Sequence, residues 1–300
     1  MSANEKVLLD TDIGNDIDDA LALAYLLKQP RCELLGITTV TGEPEKRAAL
    51  ADAICQAAGR GDVPIHVGAA TPFLVEQRQE RAGQLKYVTG RFPHRDFAPR
   101  NTAIEFLRDT IRAYPHEVTL LTIGPLSNIA LLFALDPGIP ALLKQIVIMG
   151  GRFNTKSPEG FLVEWNILLD PHAAAKVFQA PIQRLSAVGL DVTDQCRIAS
   201  QDAKGRFESV GGVLAPVAAI AEGWAQHATD VIFHDPLAAA LIFEPQLCRF
   251  EARHVEIDLE SRRARGQTIY VHDSETTPHH VAMEVDAAAF FDHYFSVVSS

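Results

Sequence analysis

The chain has 300 residues, 47% of them hydrophobic and 22% charged, so it holds enough apolar material for a large core and is not typical of a disordered protein. Its formal net charge of −11 would repel a polyanion and makes nucleic acid an unfavourable partner. The four cysteines form no CxxC pair, which argues against a zinc cluster or a disulfide framework. No apolar run has membrane-spanning length. We therefore expect a cytoplasmic protein without membrane contact.

Strand-like and helix-like segments alternate along the chain. Strands are predicted at residues 6–10, 34–40, 63–67, 117–123, 145–149 and 182–188, and helices at residues 18–28, 45–58, 102–113, 126–135 and 171–179. Strands at residues 255–259, 268–271 and 280–285 and a closing helix at 287–297 are predicted to follow. Because strands that alternate with helices form parallel sheets, we predict a single α/β domain over residues 1–300, with a largely parallel sheet and helices on both faces.

Three segments interrupt this alternation. Residues 71–100 and 152–163 are predicted to be long polar loops, and residues 199–229 to be a helical insertion. Long loops in a compact domain often cover an active site, so the first two segments are candidates for a functional cover.

Five aspartates lie within ten residues directly after the first predicted strand, in the sequence Asp10-Thr-Asp12-Ile-Gly-Asn-Asp16-Ile-Asp18-Asp19. The carboxyl end of a parallel strand is where ligands bind. Acidic residues also cap helix starts, but capping uses one or two carboxylates rather than five. Five negative charges this close repel one another unless a hard divalent cation with oxygen ligands neutralises them. The cluster therefore predicts metal binding, and the ligand type alone leaves calcium and magnesium open.

At this cluster the chain resembles the inosine–uridine-preferring nucleoside hydrolases, whose signature reads roughly DxDPGxDD. Further resemblances follow in the family's order: IGPLSNIA at residues 123–130, MGG at 149–151, EWNI at 164–167, DP at 170–171, DVT at 191–193 and FHDPLA at 233–238. The resemblance implies a Rossmann-like domain that hydrolyses the N-glycosidic bond of a ribonucleoside to ribose and free base. It also implies a bound Ca²⁺, a small nucleoside substrate, and a homodimer or homotetramer.

The resemblance assigns the metal and base functions to particular residues. Asp12 matches the general base and metal ligand, which would take a proton from a metal-bound water. Asp19 and Asp235 match further ligands, and the carbonyl of Ile123 would supply a main-chain oxygen. Asp10 matches the first aspartate of the signature, as a supporting group or a ligand.

Other matching residues would contact the substrate. Asp18 matches a carboxylate that binds a ribose hydroxyl, and Glu164 and Asn166 match polar ribose contacts. Ordinary helix capping is the alternative explanation for Glu164 and Asn166. His234 aligns with the family's histidine near the leaving base, where it would protonate the base or only stack and hydrogen-bond.

The chain also departs from the family pattern. The signature is two residues longer here, so Asp16 has no secure counterpart. It is expected to be a metal ligand or a ribose contact, and in the second case it would replace Asp18 in that role. Glu43 stands where the family has an asparagine, and Asn154 is a displaced substitute for a second one. These changes affect ribose and base recognition, so the preferred nucleoside stays open.

Two other functions compete with this interpretation. A phosphohydrolase of the haloacid-dehalogenase type also places DxD after its first strand, but it commonly has threonine where this chain has Gly14. A non-catalytic nucleoside-binding homologue would keep the fold without turnover. The presence of every matching metal ligand argues against this second alternative.

Overall fold

A computed structural model describes residues 4–153, 163–271 and 279–300. Asn154, a predicted substrate contact, lies outside these residues. In chain order the strands are β1 (Glu5–Thr11), β2 (Cys32–Thr39), β3 (Ile65–Val67), β4 (Val118–Thr122), β5 (Gln145–Met149), β6 (Leu185–Val188), β7 (Arg197–Ala199), β8 (Asp230–Ile232), β9 (Cys248–Ile257), β10 (Thr268–Val271) and β11 (His279–Val285).

Helices follow most of the strands. They are α1 (Asp18–Lys28), α2 (Pro44–Ala57), α3 (Leu85–Val88), α4 (Ala103–Ala113), α5 (Ser127–Leu135), α6 (Ile139–Leu142), α7 (Trp165–Leu169), α8 (Pro171–Phe178), α9 (Leu190–Thr193), α10 (Ser200–Val210), α11 (Ala215–Trp224), α12 (His234–Ala240) and α13 (Ala287–Val298). Within the described ranges, no helix has both the length and the apolar character needed to cross a bilayer.

The main sheet has the strand order β10-β9-β11-β6-β5-β4-β1-β2-β3. β1 pairs in parallel with both β2 and β4, and parallel pairing continues to β3 on one side and to β5, β6 and β11 on the other. The prediction of a largely parallel sheet is confirmed. The carboxyl ends of the parallel strands share one edge, which is where ligands bind in open α/β sheets.

The interior of β1 is continuously apolar because both faces of the sheet are covered. Val7 and Leu9 belong to one buried core, which includes Leu21 of α1, whereas Leu8 belongs to a second core, which includes Ile129 of α5. Successive side chains of a strand point to opposite faces, so these two cores lie on the two sides of the sheet. The predicted helices on both faces are therefore confirmed.

The C-terminal strands differ from the prediction in length and direction. β9 begins at Cys248 instead of residue 255, and it pairs antiparallel with β10 and β11. Most of its side chains are partly or fully exposed, and Arg249 forms an ion pair with Glu251 at 2.7 Å. The charged residues hide this strand from a search for apolar runs, because only part of it is buried.

Residues 199–229 contain the predicted helical material as α10 and α11, but two short strands enclose these helices. β7 pairs antiparallel with β8, and α12 begins soon after β8 ends. Strands of three residues carry too little alternation to be predicted from sequence. The pair matters for the site because it sets the position at which the chain enters α12.

Candidate active site

A cavity of about 730 Å³ lies at the edge where the parallel strands end. It contains most of the residues singled out from the sequence. The predicted residues that line it are Asp12, Asp16, Asp18, Asp19, Ile123, Glu164, Asn166, His234 and Asp235.

Asp10, at the end of β1, lies behind the cavity wall rather than on its surface. Its Oδ1 accepts hydrogen bonds from Thr38 Oγ1 at 2.5 Å and from Asn128 Nδ2 at 2.8 Å, whereas its buried Oδ2 has no hydrogen-bond partner among the described residues. Burial raises the pKa of Asp10 to about 7. This position fits the supporting group that the sequence predicts.

Asp12 is buried and held from two directions. Its Oδ2 accepts a hydrogen bond from Gln79 Nε2 at 2.5 Å, and its backbone carbonyl accepts one from the Arg47 guanidinium. Burial raises the pKa of the Asp12 carboxyl, and the charge of Arg47 and the amide of Gln79 oppose this rise. The side chain closely approaches Gly124, where an added Cβ would lie 2.8 Å from Asp12 Oδ1.

Three buried carboxylates converge on one point in the cavity. Each of Asp18, Asp19 and Asp235 offers one oxygen, and these oxygens lie within 4.8 Å of one another. Asp19 Oδ1 also accepts a hydrogen bond from Thr11 Oγ1 at 2.5 Å. Burial, followed by repulsion from neighbouring carboxylates, raises the pKa values of all three groups well above the usual range. A divalent cation with oxygen ligands would remove this repulsion, so the donor set fits such an ion.

The composition of this group differs in part from the predicted ligand set. Asp19 and Asp235 were expected there, but Asp18, expected as a ribose contact, is the third member. Asp12 lines the same cavity, and its charge contributes to the raised pKa values of Asp19 and Asp235. Asp16 is half-buried at the cavity edge, and its Oδ1 accepts the backbone N–H of Ile17 at 2.6 Å. Burial raises the pKa of Asp16 to about 6.

The start of α7 closes another side of the cavity. Glu164 caps this helix, because its carboxylate accepts the backbone N–H groups of Asn166 at 2.7 Å and Ile167 at 3.1 Å. The capping alternative is thus observed for Glu164, whose pKa burial raises to about 7. Asn166 Nδ2 donates to the carbonyl oxygens of Ile123 at 3.0 Å and Met149 at 3.2 Å. A carbonyl oxygen has two lone pairs, so the Ile123 carbonyl retains capacity for a second partner.

His234 is the first residue of α12 and lies beside the carboxylates. One ring nitrogen, Nδ1, is hydrogen-bonded to Thr193 Oγ1 at 2.7 Å, which fixes the orientation of the ring. Burial, with smaller contributions from Arg197 and Arg152, lowers the pKa of His234 to about 4. The imidazole is therefore neutral near pH 7, which favours a hydrogen-bonding or stacking contact with a ligand over a strong acid.

The sequence did not point to several side chains of this site. Gln79 lies in a segment that was predicted only as a loop. No sequence pattern marks it as a site residue, because its position depends on how that loop folds. Trp165 lies between two predicted residues and is 48% exposed at the cavity. Arg47 could have been found: it is fully buried in α2, three and four residues before Leu50 and Ala51 on the same apolar face.

Arg47 connects the loops that build the cavity. Its guanidinium donates to the backbone carbonyl oxygens of Gly42 at 2.8 Å, Ile13 at 3.2 Å and Arg81 at 3.4 Å, in addition to that of Asp12. A buried guanidinium can donate five hydrogen bonds in a fixed plane, so one side chain holds three separate segments in register.

Comparison with known proteins gives a consistent result. The sequence model of the family described as inosine-uridine preferring nucleoside hydrolase matches residues 7–292. A pyrimidine-specific ribonucleoside hydrolase, RihA, from Klebsiella pneumoniae is 31% identical, with 95% of this chain and 96% of the relative covered. The solved structure of a purine-preferring ribonucleoside hydrolase from Gardnerella vaginalis has a TM-score of 0.84 at 26% identity, covering 98% of each chain. A plant nucleoside hydrolase, PpNRh1, has a TM-score of 0.83 at 25% identity, covering 99% of each chain.

Proposed function

The chain belongs to the inosine-uridine preferring nucleoside hydrolase family, and on that premise we propose that it hydrolyses the N-glycosidic bond of a ribonucleoside in a calcium-dependent reaction. The convergence of Asp18, Asp19 and Asp235 is the observation that carries this proposal. Asp235 lies more than two hundred positions after the adjacent pair Asp18 and Asp19. Packing charges of one sign together in a buried site is unfavourable without a cation.

The residues that would hold the ion are Asp12, Asp19 and Asp235 with the Ile123 carbonyl, as the family resemblance implies, and Asp18 because of its position in the carboxylate group. A bound divalent cation supplies positive charge that lowers the pKa of a coordinated water. Calcium accepts six to eight oxygen ligands with flexible geometry, which suits a cavity that offers this many carboxylates.

Asp12 is the proposed general base. Its carboxylate lines the cavity beside the group formed by Asp18, Asp19 and Asp235, where it would accept a proton from the water that attacks the sugar carbon. The sugar develops oxocarbenium character as the bond to the base breaks, and nearby negative carboxylates stabilise that positive charge.

The remaining polar residues would hold the substrate. Asp16, Asp18, Asn166 and Glu164 line the cavity and are candidates to bind ribose hydroxyls. His234 would contact the departing base. The low pKa of His234 favours a hydrogen bond or stacking contact over proton donation near neutral pH. Asn154 stays a predicted substrate contact on the basis of the sequence alone.

We also propose a domain organisation, an oligomeric state and a location for the protein. Residues 1–300 would form one domain, because the main sheet contains strands from β1 to β11. A homodimer or homotetramer and a cytoplasmic location follow only from the resemblance and the sequence. Light scattering on the purified protein would measure the oligomeric state.

The decisive experiment is an assay of base release over a panel of purine and pyrimidine ribonucleosides, with calcium and with a chelator. Both base classes are needed because RihA is pyrimidine-specific and the Gardnerella enzyme is purine-preferring. We expect turnover with calcium and its loss with chelator. Nucleoside binding without base release would instead favour the non-catalytic homologue, and release of phosphate from phosphorylated substrates alone would favour the phosphohydrolase.

A matched pair of variants tests the role of Asp12. Asp12→Asn keeps the size of the side chain but cannot accept the proton, so we expect kcat to fall by about a thousandfold or more. Asp62→Asn changes an exposed aspartate whose partner is Arg60 and should leave kcat unchanged. Near-full turnover by Asp12→Asn would remove Asp12 as the base.

A further inference from the structure

Residues 77–84, which we term the docked segment, lie against the loops that build the cavity. Gln84 Nε2 donates to the backbone carbonyl of Asn15 at 2.9 Å, in the middle of the aspartate-rich loop. The backbone of the docked segment also packs tightly against Gly42, where an added Cβ would lie only 2.4 Å from the backbone carbonyl oxygen of Gln79. The docked segment is therefore an integral wall of the site, although the sequence identifies it only as part of a long loop.

Gln79 is the residue of this segment that enters the catalytic region. Its side chain is buried, with Nε2 donating to Asp12 Oδ2 at 2.5 Å and Oε1 accepting from Trp165 Nε1 at 2.6 Å. An indole N–H can only donate, so Trp165 requires the oxygen of the amide on its side. The side-chain nitrogen of Gln79 must then face Asp12. The orientation of the amide is thus fixed, with its N–H group donating to the Asp12 carboxylate.

The two carboxylate oxygens of Asp12 therefore have different surroundings. Oδ2 is occupied by the amide of Gln79, whereas Oδ1 lies beside Gly124, next to the carbonyl-bearing residue Ile123. A carboxylate with one oxygen anchored cannot rotate freely, so its other oxygen keeps a constant position. A base that must meet a reacting water needs its position fixed to within a fraction of an ångström.

We propose that Gln79 is a positioning residue that fixes the carboxylate of Asp12, and that Trp165 fixes Gln79 in turn. The inference rests on the proposed role of Asp12 as general base. It concerns how this chain holds that base, through a glutamine supplied by the docked segment, and it predicts that the segment contributes to turnover and not only to the shape of the pocket.

The first test is Gln79→Met, which keeps the length of the side chain and removes its hydrogen bonds. At saturating calcium we expect kcat to fall about 10- to 100-fold while KM changes less than about threefold, because the loss of a hydrogen bond to a charged group affects the base more than substrate binding. Gln29→Met is the matched control: it makes the same change at a buried glutamine at the end of α1, whose amide bonds to Tyr25 and Arg31 and not to Asp12. Its kcat should stay within about threefold of the wild type.

The second test separates positioning from folding. Trp165→Phe keeps an aromatic ring but removes the N–H donor together with part of the ring surface, and we expect a smaller loss of kcat than for Gln79→Met. The double variant should be no slower than Gln79→Met because both changes break one chain of hydrogen bonds. Calcium binding to the metal-free proteins can be measured by calorimetric titration. We expect Kd for calcium to be about three- to tenfold weaker in Gln79→Met and unchanged in Gln29→Met.

Three outcomes would overturn the inference: kcat of Gln79→Met within twofold of the wild type, an equal loss in Gln29→Met, or fully multiplicative losses in the double variant. The Asp12→Asn variant distinguishes a failure of this inference from a failure of the proposed function. If Asp12→Asn is inactive and Gln79→Met is normal, only the role of Gln79 is wrong; if Asp12→Asn turns over normally, the proposed base itself is wrong.

Discussion

Asn128 Nδ2 lies 2.8 Å from Asp10 Oδ1 and joins the start of α5 to the end of β1. The same nitrogen donates to the backbone carbonyl of Thr39 at 3.0 Å, and Asn128 Oδ1 accepts the backbone N–H of Ala69 at 2.8 Å. One buried amide thus connects the ends of three neighbouring strands, β1, β2 and β3, and stabilises the floor beneath the carboxylate cluster.

Asn128→Ala should lower the free energy of unfolding by about 2–3 kcal/mol, because it removes the hydrogen bonds that a buried amide makes to Asp10, Thr39 and Ala69. Urea denaturation of the two proteins measures this difference. Gln226→Ala changes an exposed amide at the end of α11 and is the control, for which we expect a change below about 0.5 kcal/mol. Equal stability of the two variants would contradict the structural role of Asn128.

Gly124→Ala should reduce kcat/KM by about a hundredfold or more. The added Cβ would lie 2.8 Å from Asp12 Oδ1 and 2.9 Å from Asp12 N, so the carboxylate must move, and a displacement of about 1 Å at a reacting group has an effect of this size. Gly205→Ala serves as the control because nothing lies within 4 Å of its added Cβ in α10. It should leave activity unchanged and raise stability by up to about 1 kcal/mol. Undiminished turnover by Gly124→Ala would show that Asp12 is not confined in this way.

Arg47→Lys should destabilise the protein by about 2–3 kcal/mol although it keeps the charge. A lysine has a compact ammonium group and cannot reproduce the planar set of bonds to the carbonyl oxygens of Asp12, Ile13 and Gly42. Thermal denaturation measures the effect, with Arg262→Lys on the exposed surface as the matched control. A melting temperature equal to that of the control would indicate that charge alone, and not the hydrogen-bond geometry, matters at Arg47.

The sequence predicts the part of the site that is encoded locally. The run from Asp10 to Asp19 follows an apolar strand and starts a helix, so its place at the carboxyl edge follows from periodicity alone. Family motifs then identify Asp235, which no local pattern would connect to that run. Glu164 was predicted as a ribose contact and is observed to cap α7. The two roles are compatible, because one carboxylate can accept hydrogen bonds from a helix terminus and also line a cavity.

Features that depend on tertiary context could not be predicted. Gln79 reaches Asp12 only because its loop folds onto Gly42, and that approach leaves no trace in hydrophobic patterning. The strands β7 and β8 are too short to show alternation, and β9 is hidden by its charged exposed face. The place of Asp18 in the carboxylate group could not be predicted either, because it follows from how α12 packs against α1.

His279 should make the stability of the protein depend on pH. Its Nδ1 accepts the backbone N–H of Val255 at 3.1 Å, and Nε2 is 3.0 Å from the carbonyl oxygen of Phe178, so the buried ring is held in a neutral form. Burial lowers the pKa of His279 from 6.5 to about 4. Between these pH values the unfolded chain binds a proton that the native protein does not, so the contribution of this group is complete above pH 6.5 and is lost as the pH falls towards 4.

The stability advantage of the wild type over His279→Asn should therefore shrink by at most about 3 kcal/mol between pH 7 and pH 4. Urea denaturation of both proteins at a series of pH values measures this difference, and comparing the pair cancels the contributions of the acidic cluster. His227→Asn, at an exposed histidine, should differ from the wild type by a constant amount over the same range. An advantage of the wild type that stays constant or grows towards pH 4 would mean that the native protein takes up the proton at His279 as readily as the unfolded chain.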